Sequence, residues 1–510
     1  MSKGILLLAA RKGGLRRRVQ GSAEELKLSQ AQIGLAERVE TQAVPNARVT
    51  VIAAMEMGSG KTLAALATLC AIKGAASPGR RVRALVVVPK STLYDTWHKQ
   101  RKLFTRLTCK DVQIVTYARM QRALLSGWRQ DASKKGVWVR GAGDPLLETK
   151  RDLVVFDESH VLRNPDTLLA KAAAKASENS RRAICLTGTP IQNGPADASG
   201  QLRAMMTGSS FEDSATFGCD SVLSLESVKL FASRFVFSAT MADAGVTLPP
   251  KESRVIWVDH GLTEELVGVY NECLRGLRPK ELRPLKGAAL SCALPPPCPL
   301  LMMMRQLCVE PALYHKHGRA TFDAEARRMT VEAPGTKLRE ALDLVRTLVF
   351  RGHQKVIVVS EFVTLLDTFK DLVKARTGEE CRSFDGRLSA KDRSRVIAEF
   401  LGGEARILCL SLGAGAFGLN LAPGPTAMIV LDVWYNPAVH RQVEARIHRI
   451  GQTKPVEVYT LVTRNSMEAA ILATHADKQA CAGAFLGDSE TAVEVPISHA
   501  RRLADKCQEL

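Results

Sequence analysis

The chain has 510 residues, too many for one ordinary core, and predicts two or three domains of roughly 100–200 residues each. Its composition, 46% hydrophobic and 24% charged, is that of a soluble globular protein, and no apolar stretch approaches the roughly 20 residues of a membrane span. The 71 basic and 52 acidic residues leave a formal charge of +19 and a pI of about 9.5, an excess that points to a polyanionic partner, most often nucleic acid.

The chain opens on a short apolar run, Ile5–Leu8, below the length of a signal-peptide core, followed by Arg11, Lys12 and Arg16–Arg18. Residues 1–27 therefore read as a basic arm of an intracellular protein. A nuclear address, a DNA contact and a solvated tail all fit it. Twelve cysteines are scattered without a Cys-x-x-Cys pair. Cys292, Cys298 and Cys308 lie beside Pro295–Pro297 with no histidine at finger spacing, which predicts free thiols in a reducing compartment and no structural zinc.

Residues 28–250 alternate short Val/Ile/Leu runs with amphipathic segments. Strands are predicted at Val49–Ala53, Ala84–Val88, Val112–Thr116, Leu153–Phe156 and Ala183–Leu186, and helices at Thr62–Lys73 and Leu168–Ser177. Residues 336–475 repeat the pattern. Strands are predicted at Lys355–Ser360, Glu380–Asp385, Ala405–Ser411, Ala427–Asp432 and Val456–Thr463, with helices at Phe362–Ala375, Ser389–Phe400 and Val439–Arg449. The fold class is α/β: two tandem parallel-sheet lobes with right-handed crossovers. Residues 251–335, with a Pro-rich stretch and Met302–Met304, read as linker and accessory helices, the methionines as packing filler. Residues 476–510 read as a tail.

Gly58-Ser59-Gly60-Lys61-Thr62 follows the first strand and opens a helix, as a phosphate-cradling loop requires. Lys61 would neutralise the β- and γ-phosphates of ATP, and the Thr62 hydroxyl would ligate Mg²⁺. The eight-residue form of the motif fails at its first position, Met55. Asp157-Glu158-Ser159-His160 follows the apolar run Leu153–Phe156, so its carboxylates fall at the C-terminal edge of the sheet, where open α/β sheets bind ligands. Asp157 can hold Mg²⁺ through water, and Glu158 can deprotonate the attacking water. Thr187, Gly188 and Thr189 follow the next strand, with small hydroxyls placed to sense that pair. Arg446 and Arg449 offer two forked cations suited to a γ-phosphate. Three residues apart, they are predicted to share one helix face.

In this order the motifs resemble the Swi/Snf-like branch of helicase superfamily two, from about Leu28 to Leu472. Glu56–Thr62, Val86–Lys90, Asp157–His160, Leu186–Asn193 and Leu248–Lys251 match in the first half. Lys355–Phe362, Phe384–Gly386, Ser411–Leu421 and Leu431–Val439 match in the second, with Gln442 and Arg446–Gln452 after them. The wording around Trp434–Ala438 is similar to the subgroup of repair and transcription-termination ATPases.

The resemblance implies two RecA-like lobes with ATP in the cleft between them. It implies adenine recognition by Gln32, arginine-finger roles for Arg446 and Arg449, DNA-backbone contacts from Lys90, Thr116, Ser411 and Gly415, and lobe coupling through Thr187–Thr189 and Gln452. It further implies a DNA-stimulated ATPase that needs Mg²⁺ and tracks along duplex DNA without sequence preference. Nucleosomes, a polymerase or repair proteins are the expected associates, no membrane is expected, and the expected location is a nucleus, virion or viral factory. A strand-separating helicase and a viral transcription or termination ATPase are the alternatives. Departures from the family pattern fall at Met55, Ala445, Phe235–Ser238 (leaving Arg234), Gly413 and Ala416. They spare every catalytic group and predict a divergent, compact motor without a RING insert.

Overall fold

The computed structural model describes residues 16–19, 22–25, 28–41, 49–77, 80–90, 92–104, 107–126, 128–130, 138–140, 143–191, 196–205, 232–276, 299–313, 324–352, 354–415 and 419–486. The described residues divide into two compact units, the first up to residue 247 together with residues 480–486, the second from 248 to 479.

The first unit is built on a six-stranded parallel sheet. Its strands are β1 (Val49–Met55), β2 (Ala84–Val88), β3 (Val112–Thr116), β4 (Leu153–Asp157), β5 (Arg182–Thr187) and β6 (Val236–Ala239), in the spatial order β6-β1-β5-β4-β2-β3. The continuous apolar runs have the reason expected of them: both faces are covered. Alternate residues of β2 enter different cores, Val86 and Val88 joining Val51, Met55 and Leu66 on one face, and Leu85 and Val87 joining Phe156, Leu162 and Ala173 on the other. Each such fully buried aliphatic side chain contributes about 1.5–3 kcal/mol.

The second unit repeats the plan. Strands β7 (Lys251–Val258), β8 (Val356–Ser360), β9 (Arg382–Phe384), β10 (Ile407–Ser411), β11 (Ala427–Val430) and β12 (Val456–Thr463) form a parallel sheet in the order β7-β12-β11-β8-β10-β9. Val356 and Val358 face one core, and Ile357 and Val359 the other.

Two sequence expectations change, at residues 251–258 and in the helix predicted to reach Arg449. Lys251–Val258 is not linker but the edge strand of the second sheet, in register with the whole of β12 from Lys251 on Val456 to Val258 on Thr463. Its charged, exposed residues hide it, because an edge strand needs no apolar face of its own. The divergent Phe235–Ser238 segment overlaps edge strand β6 of the first sheet, pairing on β1 from Val236 on Ile52 to Ala239 on Met55. The helix predicted to reach Arg449 runs from Pro437 to Glu444 only. Beyond it the backbone tightens, with Arg446 N–H bonding Val443 O and Ile447 N–H bonding Glu444 O, so both arginines sit in turns. Within the basic arm, Arg16–Val19 and Ser22–Glu25 pair as an antiparallel ribbon that sets Arg16 opposite Glu25 and Arg17 opposite Glu24. Gln192, Asn193, Cys292, Cys298 and Ala416 lie outside the described residues.

Candidate active site

The loop between β1 and the helix Lys61–Ala75 is shaped by two glycines in the left-handed region, Gly58 at φ 91° and Gly60 at φ 89°. Gly60 is the helix N-cap, and no side chain caps the exposed N–H groups. An uncapped helix start with its positive dipole end open is an anion site in wait of an anion. A side chain at Gly60 would meet the Gln32 amide nitrogen at 2.5 Å, and that nitrogen hydrogen-bonds Ser59 O at 3.4 Å. Gln32 is thus brought onto the loop from the helix Gln30–Thr41, its Oε1 accepting from Ser29 N–H at 3.1 Å. The Lys61 ammonium lies 3.3 Å from Met55 O, and Thr62 is buried one residue on.

Asp157 ends β4 in a buried position. Its Oδ2 accepts the Trp97 indole N–H at 2.7 Å, its Oδ1 accepts Glu158 N–H at 3.1 Å, and its backbone carbonyl accepts the Tyr117 hydroxyl at 2.7 Å. Burial first, and then the charge of Glu158, push the Asp157 carboxyl up to about 6, against the lowering pull of Trp97 and Lys61. Neither Trp97 nor Tyr117 is marked by the sequence, because no local spacing connects them to residue 157.

Glu158 sits at φ 51°, ψ 49°, a left-handed conformation that costs a non-glycine residue about 1–2 kcal/mol. Among the described residues its buried Oε2 has no hydrogen-bond partner; it lies 3.4 Å from His160 Nδ1, which likewise has none. Burial lowers the His160 pKa, leaving a neutral ring beside the carboxylate.

The turn Thr187–Pro190 folds over the phosphate loop. A Cβ at Gly188 would stand 3.0 Å from Met57 Cγ and 3.4 Å from Lys61 Nζ. Thr187 Oγ1 accepts Thr189 N–H at 3.1 Å, and the buried Thr189 hydroxyl has no partner. Lys61, Asp157, Glu158 and Thr187–Thr189 therefore converge in the first unit.

The second unit holds the rest. Arg446 Nε donates to Gly415 O at 3.2 Å, and Arg449 Nη1 to Leu419 O at 3.2 Å. Both guanidinia are thus held by backbone carbonyls, of Gly415 at the end of the helix Leu412–Gly415 and of Leu419, and not by one helix face. Arg449 has no carboxylate partner among the described residues, its Nε is buried unpaired, and burial lowers its pKa. The Gln452 amide is committed inside this unit, donating to Pro425 O at 3.1 Å and Ile447 O at 3.2 Å and accepting from Thr453 and Lys454 N–H. In the same unit, Arg305 stacks 4.6 Å from the Trp434 ring and 5.3 Å from the Phe362 ring and bonds Asp432 at 2.9 Å, while Asp432 also takes the Ser360 hydroxyl.

Of the residues expected on DNA, Lys90 is exposed at the end of β2. The Thr116 hydroxyl accepts Arg119 N–H at 3.3 Å and that of buried Ser411 accepts Ala414 N–H at 3.4 Å, each at the start of a helix. Gly415 is packed where a Cβ would meet Leu410 at 2.9 Å.

The donor set fits magnesium in the form nucleotides bring it. Among the described residues no three His, Cys, Asp or Glu side chains cluster as a metal cage, yet a single carboxylate and a hydroxyl flank the phosphate loop. That is what an ion coordinated mainly by water and phosphate needs. Among the described residues no helix is long and apolar enough to cross a membrane.

The SNF2-related domain matches residues 41–312, and the helicase conserved C-terminal domain matches residues 337–451. The chain belongs to the SNF2-related family. As a member it is an ATPase of helicase superfamily two, with homologues among Swi/Snf-type remodellers. It is 28% identical over 453 residues to Protein CHROMATIN REMODELING 4 of Arabidopsis thaliana, covering 83% of this chain and 19% of that protein. It is 28% identical over 368 residues to the DNA repair and recombination protein RDH54 of Saccharomyces cerevisiae, covering 66% and 38% respectively. It is 28% identical over 336 residues to the probable global transactivator of Orgyia pseudotsugata multicapsid polyhedrosis virus, covering 64% and 65%. The chain thus spans less than two thirds of each of these relatives. Among solved structures, the Sulfolobus solfataricus SWI2/SNF2 ATPase core in complex with dsDNA aligns at a TM-score of 0.37 and 20% identity, over 92% of this chain and 98% of that one.

Proposed function

We propose that this SNF2-related protein couples ATP hydrolysis to movement along double-stranded DNA, remodelling protein–DNA complexes as it goes. The observations that carry the reading are the hydrolytic groups gathered in the first unit and, in the second, a half-buried Arg449 with no carboxylate partner among the described residues. An arginine desolvated without a carboxylate is poor economy in a resting protein. It makes sense where an anion arrives during the working cycle.

In this reading the N–H groups of Gly58–Thr62 and the Lys61 ammonium bind the β- and γ-phosphates, and Gln32 reads the adenine edge. Asp157 and Thr62 hold Mg²⁺, which when bound neutralises charge on the phosphates. Glu158 orients a water in line with the γ-phosphorus and takes its proton. Arg446 and Arg449 neutralise the charge that develops on the transferred phosphoryl group, as trans-acting arginines do elsewhere. Their arrival and release with each ATP would alternate the two units' grip on the DNA backbone. Lys90, Thr116, Ser411 and Gly415 are the proposed contacts. The +19 charge supports a polyanion, and phosphate contacts carry no base information, so binding is indifferent to sequence.

Phosphate release with and without nucleic acid tests the reading. Turnover should rise strongly with duplex DNA, barely with RNA, and the stimulation should fall steeply between about 50 and 200 mM salt as counterions compete. Stimulation by RNA alone, or a response blind to salt, rejects the substrate class.

A further inference from the structure

One side chain that no motif marks joins two segments of the first unit's site. Gln201, on the helix Ala196–Arg203, is fully buried. Its Oε1 accepts the hydroxyl of Ser159 at 2.7 Å, and its Nε2 donates to Pro190 O at 2.8 Å and to Asp197 O at 3.2 Å. Ser159 lies directly after Glu158 and is also buried completely. Its hydroxyl also contacts the Cys185 thiol on β5, the strand that leads into the Thr187–Pro190 turn. The surroundings are apolar, with Leu162, Ile191, Ala198 and Leu202 in one cluster. The helix is pinned there by its neighbour: a Cβ at Gly200 would fall 1.7 Å from Arg163 O, so only glycine lets the helix press against the backbone that follows the Asp157–His160 segment.

A buried amide in an apolar pocket costs free energy unless its donors and acceptor are all met, and an aliphatic side chain of the same size would fill the space without that demand. What the amide supplies is therefore geometry. Its acceptor end meets the segment that carries the catalytic carboxylate. Its donor end meets the turn whose Gly188 rests against Met57 and Lys61. We infer that Gln201 is a positioning residue of the ATPase, clamping the Thr187–Pro190 turn to the Asp157–His160 segment through Ser159 so that Glu158 and Lys61 keep a fixed offset.

The inference rests on the ATPase reading. A displacement of a fraction of an ångström at Glu158 lowers the rate of the chemical step without removing any group that binds nucleotide. The test compares wild type, Gln201→Leu, Ser159→Ala and the double variant. It measures kcat with saturating duplex DNA, affinity for a fluorescent ATP analogue, and melting temperature. Each single variant should lose roughly tenfold or more in kcat while nucleotide affinity stays within about threefold. The double variant should be no slower than the worse single variant, because both break one linkage. Wild-type kcat in folded Ser159→Ala or Gln201→Leu, whatever the melting temperature, overturns the clamp, and so does a double variant in which the two losses multiply. An inert wild type instead overturns the ATPase reading beneath it. Should Gln201→Leu fail to fold, Ser159→Ala alone decides by the same split between kcat and affinity.

Discussion

The indole N–H of Trp97 donates to Asp157 Oδ2 at 2.7 Å, holding a buried carboxylate whose own burial drives its pKa to about 6. The free protein therefore carries a proton on Asp157 in mildly acidic solution, and binding Mg²⁺ with nucleotide must expel it. Affinity for the magnesium–nucleotide complex should be level above about pH 7 and fall towards tenfold per pH unit below about 6. Trp97 favours the charged form, so Trp97→Phe should move that acid limb upward by about one unit, the equivalent of a lost hydrogen bond to a charged group. A pH series of fluorescent-nucleotide binding with saturating Mg²⁺ checks both. Coincident profiles for the two proteins would contradict the assignment of Asp157.

Glu158 is held in a strained backbone conformation with an unpaired buried oxygen, a posture with no structural gain of its own. Glu158→Gln keeps the shape and removes the base. Hydrolysis should fall by roughly 10²–10⁴-fold with ATP binding retained. Single-turnover hydrolysis alongside nucleotide affinity measures this, and more than a few per cent residual activity in folded protein would give the base to another group.

Arg449→Ala should cut turnover by roughly 10³-fold or more. Stability should change little, because the variant loses one bond to Leu419 O and relieves a guanidinium that burial disfavours. Near-normal turnover in a protein that melts earlier would make Arg449 structural.

The second unit should be acid-sensitive. Trp434 N–H donates to His440 Nε2 and Trp434 O bonds His475 Nε2, each at 2.8 Å, with the two rings 6.0 Å apart. Burial lowers both histidines, His475 to about 3. A histidine lowered in the folded state leaves stability intact above its unfolded value of about 6.5 and removes it as the pH falls from there, for His475 down towards 3 and by up to about 1.4 kcal/mol per unit. Melting temperature should drop between pH 7 and pH 5, and His475→Gln, which keeps a donor for Trp434 O, should flatten the slope. An unchanged slope would mean that His475 takes up its proton as readily in the folded state as in the unfolded one.

Much of the fold was legible because doubly covered strands must be apolar throughout. Ala84–Val88 and Val456–Thr463 were bounded as they occur. Strand β7 was not, since Lys251–Arg254 are exposed and polar, three of the four charged, and acquire strand geometry only from pairing with β12. The segment holding Arg446 and Arg449 reads as helix in the sequence because no glycine or proline interrupts the run between Pro437 and Gly451. Glycine and lysine spacing announced the phosphate loop, and an acidic pair after an apolar run announced Asp157 and Glu158. Their supports Trp97, Tyr117 and Gln201 were silent. Each lies 40 or more residues from its partner, and only the folded sheet brings them together.

Movement on intact duplex is the central claim, and displacement of a third strand from a DNA triplex measures it most directly, with Glu158→Gln and a forked duplex run in parallel. Wild-type protein should release the third strand only with hydrolysable ATP, Glu158→Gln should not release it, and the fork should stay largely paired. Efficient separation of the fork with no displacement of the third strand would contradict the account and make the protein a strand-separating helicase.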